Sequence, residues 1–323
     1  MPALEPADAP GPAATTEVLV VGEALVDIVQ RPDGSSARHP GGSPANVALG
    51  LARLGHLVRF ATRTGSDEDG DRVREHLRGD GVVLTDGSTV DGATSTATAV
   101  IDGNGAASYV FDLVWELPEV GLGTAGHVHT GSIAANLAPG AGQVRQLLPW
   151  ARERATTSYD PNLRPRIIGA PDEERPGVEA LVGASDVVKS SDEDLAWLYP
   201  GEGADQVARR WVAGGPSLVV VTRGSQGATA WLVADPGSPI TVEPRRAEVV
   251  DTVGAGDAFM SGLISGLLDL GLLGGPEQRQ ALATADPEQV RTALRRATLT
   301  SSLTCERPGA DPPTRAEIAA VDR

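Results

Sequence analysis

The sequence predicts an α/β fold with a central, mostly parallel sheet and a separate group of antiparallel strands. Residues 18–21 and 218–221 are short, continuous apolar runs, which are typical of strands buried on both faces of a parallel sheet. From Gly126 onward, predicted strands alternate with predicted helices, which is the rhythm of βαβ units. Residues 94–111 instead contain two strand-like runs around a turn at 102–105, and this pattern predicts a β-hairpin.

The remaining elements follow from apolar periodicity and turn residues. Further strands are expected at residues 57–63, 82–84, 127–129 and 156–159, and again from residue 187. Helices are expected from residue 44 to 54, up to residue 77, and over 143–153, 258–272 and 291–303. Because ligands of such folds bind beyond the carboxyl ends of the parallel strands, we expect the active site at that edge of the sheet.

The length suits one large α/β domain with an appendage or two modest domains, and the charge argues against nucleic-acid binding. The chain has 323 residues and a formal net charge of −16, whereas nucleic-acid sites need clustered Lys and Arg. No apolar run is long enough to cross a bilayer. A single cysteine, Cys305, leaves no internal disulfide, which fits a reducing cytoplasm. We therefore expect a cytoplasmic protein with no nucleic-acid partner and no membrane partner.

The first 16 residues differ in composition from the rest of the chain. They are rich in Ala and Pro and lack the basic start and apolar core of a signal peptide. We therefore predict a disordered tail over residues 1–16 and one domain over residues 17–323.

Residues 251–257, with the sequence Asp-Thr-Val-Gly-Ala-Gly-Asp, carry the strongest chemical signal. The N–H groups of Gly254, Ala255 and Gly256 can turn toward one point and form an anion cradle, since glycine tolerates the required main-chain conformation. The apolar helix that follows points its positive end at the cradle. Asp257 then lies where a carboxylate can accept a proton from a hydroxyl beside a bound phosphate. The alternative is a simple turn, with Asp257 only complementing the helix dipole.

A second glycine pair precedes another predicted helix. Gly41 and Gly42 allow the main chain to approach a ligand. Ser43 is expected to cap the helix and Pro44 to occupy its first position. Asn46 then falls on the first turn and can face the same cavity as the glycines. The alternative is an ordinary helix start.

The two segments together resemble the paired signatures of the ribokinase-like sugar kinases, the phosphofructokinase-B family. The similarity rests on Gly-Gly-x-x-x-Asn-x-Ala at residues 41–48 and on the motif at residues 251–257, and it extends over nearly the whole chain after the tail. It implies a three-layer α/β/α ribokinase-like fold with a small β-sheet lid formed by segments near 25–40 and 94–115. It also implies phosphoryl transfer from ATP, with Mg²⁺, to a primary hydroxyl of a sugar.

The resemblance also implies roles for individual residues. Asp257 would be the base, and the main chain of Gly254, Ala255 and Gly256 would stabilise the transferring phosphoryl group. The sugar would be bound by Asp27, Gly41, Gly42, Asn46, Gly131 and Arg164. The nucleotide would be bound by Lys189, Asp194, Thr222, Gly224, Gly227 and Thr252. Main-chain groups near Asp251, Val253 and Cys305 would hold a monovalent cation such as K⁺.

Several of these positions leave alternatives open. Asp27 could instead face solvent on an edge strand, because polar side chains alternate outward there. Arg164 suits a carboxylate or a phosphate, but it could simply pair with Asp160. His127 and His129 alternate on one strand, yet no further ligands of metal-binding type surround them in the sequence, which argues against zinc.

One segment departs from the family pattern. The family usually has Asn-x-x-Glu where this chain has Ser191-x-x-Asp194, which weakens the expected role in positioning magnesium-bound water. Lys189, the single lysine of the chain, lies just before this segment. Because the chain has no Gly-Lys-Ser/Thr run, a P-loop kinase is excluded.

Within the family, the fructokinases resemble this chain most, so fructose is the expected acceptor. The similar segments are residues 22–24, 158–162 and 191–195 and the tail that begins at Cys305. A 2-keto-3-deoxygluconate kinase is the alternative, since Arg164 would suit its carboxylate. A nucleoside kinase is less favoured, because few aromatic residues are available to stack on a base. The alternative outside the enzymes is a non-catalytic sugar-binding protein, which would lack the base or the cradle. An exposed apolar face of the lid would favour a homodimer.

Overall fold

The computed structural model describes residues 16–103 and 106–321. The predicted tail lies outside the described residues except for Thr16, and so do Asn104 and Gly105 of the predicted hairpin turn. The strands within the described ranges are β1 (Glu17–Val21), β2 (Leu25–Gln30), β3 (Ser36–Gly41), β4 (Val58–Ala61), β5 (Thr64–Gly65), β6 (Val83–Leu84), β7 (Thr89–Val90), β8 (Thr96–Ile101), β9 (Ala107–Asp112), β10 (Ala125–Gly131), β11 (Thr156–Asp160), β12 (Val187–Ser191), β13 (Leu218–Thr222), β14 (Ala228–Leu232) and β15 (Asp235–Val242).

Helices connect most of these strands. They are α1 (Ser43–Arg53), α2 (Glu68–Gly79), α3 (Gly140–Arg152), α4 (Pro171–Gly183), α5 (Asp192–Leu198), α6 (Ala204–Ala213), α7 (Ala255–Asp269), α8 (Pro276–Ala283), α9 (Pro287–Cys305) and α10 (Arg315–Val321). A short 3₁₀ turn, Ser132–Ala135, follows β10, and another, Gly224–Gln226, follows β13. Of the helices in the described ranges, none combines the length and apolar character needed to cross a bilayer.

The main sheet is mostly parallel, as predicted. Its nine strands lie in the order β15-β14-β13-β12-β11-β10-β1-β4-β6. All neighbouring pairs from β13 to β6 are parallel, whereas β14 and β15 are antiparallel additions at one edge. The carboxyl ends of the parallel strands therefore meet at one edge of the sheet, where ligand sites of such folds form.

Helices cover both faces of this sheet. On β1, Val18 and Val20 belong to the core that contains side chains of α1, α7 and α9, whereas Leu19 and Val21 belong to the core that contains side chains of α3 to α6. The continuous apolar run is thus explained by burial on both sides of a parallel strand. The result is the predicted three-layer α/β/α arrangement.

A smaller, four-stranded sheet has the order β3-β2-β8-β9. Strands β8 and β9 pair antiparallel, with Thr96 opposite Asp112, as the hairpin pattern predicted. Strand β2 lies between β3 and β8, so Asp27 is not on an edge strand and that alternative is wrong. Strand β3 ends at Gly41 and leads directly into α1, so the small sheet is joined to the start of that helix.

The helix after the glycine-rich segment begins earlier than predicted. It was expected from residue 258 to 272, but α7 runs from Ala255 to Asp269. Gly254 precedes it with φ of 73°, a left-handed conformation that directs the next residue straight into the helix. Gly271 has φ of 68° and follows the end of the helix, as glycines commonly do at helix C-termini.

Two glycines let α7 pack closely against α9. A Cβ added to Gly262 would lie 2.9 Å from the Ala297 Cα, and one added to Gly266 would lie 2.8 Å from the Ala293 Cα. Both distances are far below normal van der Waals separation, so the main chains of the two helices approach each other only because these positions lack side chains.

We predict that Gly266→Val lowers the free energy of unfolding by ~1–3 kcal/mol, because the side chain overpacks the contact between α7 and α9. Gly142→Val is the matched control, since Gly142 also lies in a helix but no atom lies within 4 Å of its added Cβ. Urea unfolding of both variants provides the measurement. Equal effects of the two substitutions would contradict the close-packing argument.

Candidate active site

The carboxylate of Asp257 lies at the centre of the site, in the first turn of α7. Ser43 Oγ donates a hydrogen bond to Asp257 Oδ1 at 2.6 Å, and Asn46 Nδ2 donates to Oδ2 at 2.8 Å. Asn162 Nδ2 donates to Ser43 Oγ at 2.7 Å and approaches Asp257 Oδ1 at 3.4 Å. The carboxylate is therefore oriented by α1 and by the loop after β11.

These contacts correct the predicted role of Ser43. The serine does not cap α1: Gly42 precedes the helix without a side-chain cap, and Ser43 is already helical. Its hydroxyl donates to Asp257 instead. The local sequence favoured the cap, whereas the actual partner lies 214 residues away in the chain.

The predicted anion cradle forms the start of α7. A Cβ on Gly254 would lie 2.5 Å from the Ala310 Cβ, so both the left-handed φ and the close neighbour require glycine. The Ala255 N–H donates to the Thr252 carbonyl at 3.2 Å. No main-chain carbonyl of the described residues accepts the N–H of Gly254 or Gly256. At a helix N-terminus such N–H groups favour an anionic ligand.

Two cavities meet at this segment. The first has a volume of about 570 Å³ and is bordered by Val253, Gly254 and Asp257. The second has a volume of about 620 Å³ and is bordered by Thr252, Ala255 and Gly256. Residues 252–257 therefore form a common wall, with the carboxylate on one side and part of the cradle on the other.

The first cavity contains four of the six predicted sugar-binding residues: Asp27, Gly42, Asn46 and Arg164. Gly41 lies behind Asp27, because a Cβ on Gly41 would be 2.2 Å from Asp27 Oδ2. Gly131 does not line the cavity, but the next two residues, Ser132 and Ile133, do. Strands β2, β8 and β9 of the small sheet supply the apolar wall through Leu25, Ile28, Val29, Ala97, Ala99, Tyr109 and Phe111.

Arg164 does not pair with Asp160, so that alternative is wrong. Its guanidinium donates to Asn162 Oδ1 at 2.7 Å and remains exposed toward the cavity. Across the cavity, burial raises the pKa of Asp27, while His39 and Arg164 lower it and Asp257 raises it further. A carboxylate and a guanidinium thus face the same space and can bind several hydroxyl groups.

The second cavity contains four of the predicted nucleotide-binding residues: Thr222, Gly224, Gly227 and Thr252. Helix α9 adds small side chains at Thr298, Ser301 and Ser302. Arg245 and Arg246 also border this cavity and were not predicted. Their position could not be read from the sequence, because they lie in an irregular segment without apolar periodicity.

Lys189 and Asp194 are not among the residues that line the second cavity. The Lys189 ammonium is buried and donates to Asp160 Oδ2 at 2.8 Å. Burial raises the pKa of Asp160 to about 6 although Lys189 lowers it. Burial lowers the pKa of Lys189, but Asp160, Asp257 and Asp194 together raise it by more, so the net shift is upward. A Cβ on Gly256 would lie 3.2 Å from Lys189 Nζ, so this ion pair lies directly behind the cradle.

Asp194 stabilises the neighbouring loops. Its Oδ1 accepts the Leu163 N–H at 3.0 Å, and it forms a capping box with Ser191 at the start of α5. The departure from the family pattern at Ser191 is therefore compatible with a well-formed helix start. The assignment of Lys189 and Asp194 to the nucleotide stays a prediction.

Some groups near the predicted monovalent-cation site are already hydrogen-bonded. The Asp251 carboxylate accepts the N–H groups of Val253 and Gly309 at 3.0 and 2.8 Å, which lower its pKa. The Cys305 carbonyl accepts the N–H groups of Val250 and Asp251. The cation site stays a prediction. Within the described ranges, no three His, Cys, Asp or Glu side chains cluster as metal ligands.

The two strand histidines are held by hydroxyl groups. His127 lies 2.9 Å from Thr156 Oγ1 and 2.9 Å from Ser158 Oγ, and His129 Nδ1 lies 2.9 Å from the same serine. Burial lowers the pKa of His127 to about 4 and that of His129 to about 3. Both are therefore neutral near pH 7 and part of the packed sheet.

Glu23 is a cavity residue that the sequence reasoning did not assign. It is 5% exposed and lines the first cavity together with Asp27. Its Oε2 accepts the Ala134 N–H at 3.0 Å. Burial raises the pKa of Glu23 to about 7, although N–H groups, Ser132 and Arg164 act against that rise. The sequence signal that could have identified Glu23 is an acidic residue just beyond the buried apolar run of β1.

A nucleotide-sized cavity and a sugar-sized cavity that share a glycine-rich helix start define a phosphotransferase site on an α/β/α scaffold. The family model described as pfkB family carbohydrate kinase matches residues 15–317. The chain belongs to this family and is a carbohydrate kinase of the ribokinase-like fold.

Its relatives include several fructokinases. A fructokinase from Klebsiella pneumoniae is 33% identical over 282 residues, which cover 83% of this chain and 88% of the relative. The crystal structure of a fructokinase from Xylella fastidiosa with bound ATP superposes with a TM-score of 0.83 at 26% identity, covering 95% and 98% of the two chains. A double mutant of the Vibrio cholerae O395 fructokinase, with fructose, ADP and potassium ion bound, has a TM-score of 0.75 at 27% identity over 95% and 98%.

The buried Glu23 predicts a pH-dependent stability. Its pKa is 4.5 unfolded and about 7 folded, so its contribution is fully present below pH 4.5 and is lost as pH rises through 7. We predict that the unfolding free energy of the wild type falls by about 2 kcal/mol relative to Glu23→Gln between about pH 5 and pH 8.

Urea unfolding of both proteins across this range provides the measurement. Glu68→Gln is the control, because that side chain is 91% exposed. A difference between wild type and Glu23→Gln that does not change with pH would show that Glu23 does not titrate as stated.

Proposed function

We propose that this chain is an ATP-dependent fructokinase that transfers the γ-phosphoryl group of ATP to a hydroxymethyl group of fructose. The observation that carries the proposal is the common wall at residues 252–257, which presents Asp257 and Gly254 to the first cavity and Ala255 and Gly256 to the second. The fructokinase names of the relatives support fructose as the acceptor.

The geometry supports a direct transfer. The fructose hydroxyl lies in the first cavity and gives its proton to Asp257 as its oxygen attacks the γ-phosphorus. The bond from that phosphorus to the bridging oxygen of ADP breaks, so a sugar phosphate and ADP result. Ser43 and Asn46 hold the carboxylate at 2.6 and 2.8 Å and thus keep it aimed at the hydroxyl. Proton acceptance of this kind contributes ~10²–10⁴-fold to the rate.

The remaining stabilisation is electrostatic. The N–H groups of Gly254 and Gly256 at the start of α7 point their dipoles at negative charge on the phosphoryl group. Mg²⁺ bound to the phosphates would neutralise part of their charge, and it would take most of its ligands from phosphate oxygens and water. Arg245 and Arg246 border the nucleotide cavity and add positive charge at its rim.

Three further properties belong to the same proposal. A monovalent cation such as K⁺ would stiffen the segment from Asp251 to Val253, next to Cys305. The protein would act in the cytoplasm. The small sheet would cover the sugar as a lid. Because Val110 on β9 is exposed by 59%, a second copy of the chain would pack against the outer face of this sheet.

We predict that Asp257→Asn removes nearly all turnover and leaves the affinities for fructose and ATP within a few-fold. The amide keeps the shape of the side chain but cannot accept the proton. Steady-state kinetics and calorimetric binding provide the measurements, with Glu68→Gln as the control. Turnover close to the wild-type rate with binding intact would contradict the role of Asp257.

The acceptor is tested by ADP release with fructose, 2-keto-3-deoxygluconate, ribose and adenosine. We expect the highest kcat/KM for fructose, because Asp27 and Arg164 face a cavity of about 570 Å³ with few aromatic side chains to stack on a base. A higher kcat/KM for 2-keto-3-deoxygluconate would instead assign Arg164 to its carboxylate.

A further inference from the structure

Glu23 is a buried carboxyl group on the wall of the first cavity, and the transfer step does not use it. It lies in the short connection between β1 and β2, directly beyond the carboxyl end of β1. Its side chain borders the same cavity as Asp27, Arg164 and Asp257. An acid in this position either supports the protein structure or binds a ligand.

The contacts of Glu23 leave it able to accept another hydrogen bond. The Ala134 N–H donates to Oε2 at 3.0 Å, and the Ser132 hydroxyl and the main-chain N–H of Glu23 also contact the carboxyl group. A carboxylate offers about four acceptor positions, so about one remains for the cavity. Ser132, which also borders the cavity, has φ of 57°, an unusual conformation for a residue other than glycine.

The charged groups around Glu23 come from several elements. Arg164, in the loop after β11, is the cation that lowers the pKa of Glu23, whereas burial raises it to about 7. Asp27 on β2 and Asp257 on α7 share the cavity, and His39 on β3 lies opposite Asp27. The 3₁₀ turn contributes N–H and hydroxyl groups and no charge. Without a ligand, the carboxyl group is therefore close to the midpoint of its titration near neutral pH.

We propose that Glu23 is a sugar-binding residue: its carboxylate accepts a hydrogen bond from a hydroxyl of the bound sugar, and the ionised form is the form that binds. This inference rests on the proposed function of the first cavity. Burial has removed water from the Glu23 carboxyl group. A sugar hydroxyl donates a hydrogen bond to the ionised carboxylate, so sugar binding favours the charged form. Below pH 7, binding must therefore release the Glu23 proton to solvent.

The first test compares the KM for fructose at pH 6 and pH 8. For the wild type we expect a rise of about tenfold at pH 6, since one pH unit below the pKa leaves about a tenth of the group ionised. At pH 8 we expect Glu23→Gln to have a higher KM than the wild type, and at pH 6 we expect the two KM values to be equal. The kcat of the variant should differ little from that of the wild type. The ratio of variant to wild type at each pH removes pH effects that do not involve Glu23, and Glu68→Gln is the matched control.

A second test uses the wild type alone, so it does not depend on the folding of the variant. Calorimetric titration with fructose at pH 6.5, in two buffers of different ionisation enthalpy, should show release of a fraction of a proton, and the same titration at pH 8, where Glu23 is already ionised, should show much less. Absence of proton release, or a variant with the wild-type KM and pH profile, would reduce Glu23 to a support of the 3₁₀ turn. Wild-type turnover of fructose tests the proposed function separately, because its absence would refute the kinase proposal whatever Glu23 does.

Discussion

The hydrogen bonds between Asp257 and the start of α1 are the constraint on which the site depends. They join two helix N-termini that lie more than 200 residues apart in the chain, Ser43 and Asn46 on one and Asp257 on the other. Both helices begin at glycines whose main chain is left-handed or otherwise positive in φ, at Gly42 and Gly254. If either glycine turn changed, the carboxylate would lose its donors or its position in the cavity.

Buried charge behind the cradle completes this arrangement. The Lys189–Asp160 pair lies under Gly256, and burial makes such a pair costly unless both members are present. Because the ammonium is close to the cradle, it adds positive potential at the point where a phosphoryl group would be held. The Asp160 Oδ1 atom has no partner within the described residues, so the pair is incompletely satisfied.

The sequence predicted those features that depend on local chemistry. Residue type and spacing were enough to predict the buried run at β1, the parallel character of the sheet and the glycine pattern before Asp257. Features that depend on distant partners could not be predicted in this way. Ser43 fits the local rule for a helix cap, but the carboxylate that takes its hydroxyl is supplied by α7. Glu23 was not assigned, because its burial and its Ala134 partner arise only when β1 and β10 pair.

The common wall between the cavities has an evolutionary consequence. The first cavity is lined mainly by the small sheet and the start of α1, whereas the second is lined mainly by the loop after β13, the segment 244–249 and α9. The segment 252–257 contributes to both linings, with Val253, Gly254 and Asp257 at the first cavity and Thr252, Ala255 and Gly256 at the second. Mutations in β2, β8 or β9 can therefore change which sugar the first cavity accepts without altering the lining of the second cavity. A fold divided in this way can evolve new sugar preferences while its nucleotide cavity stays unchanged.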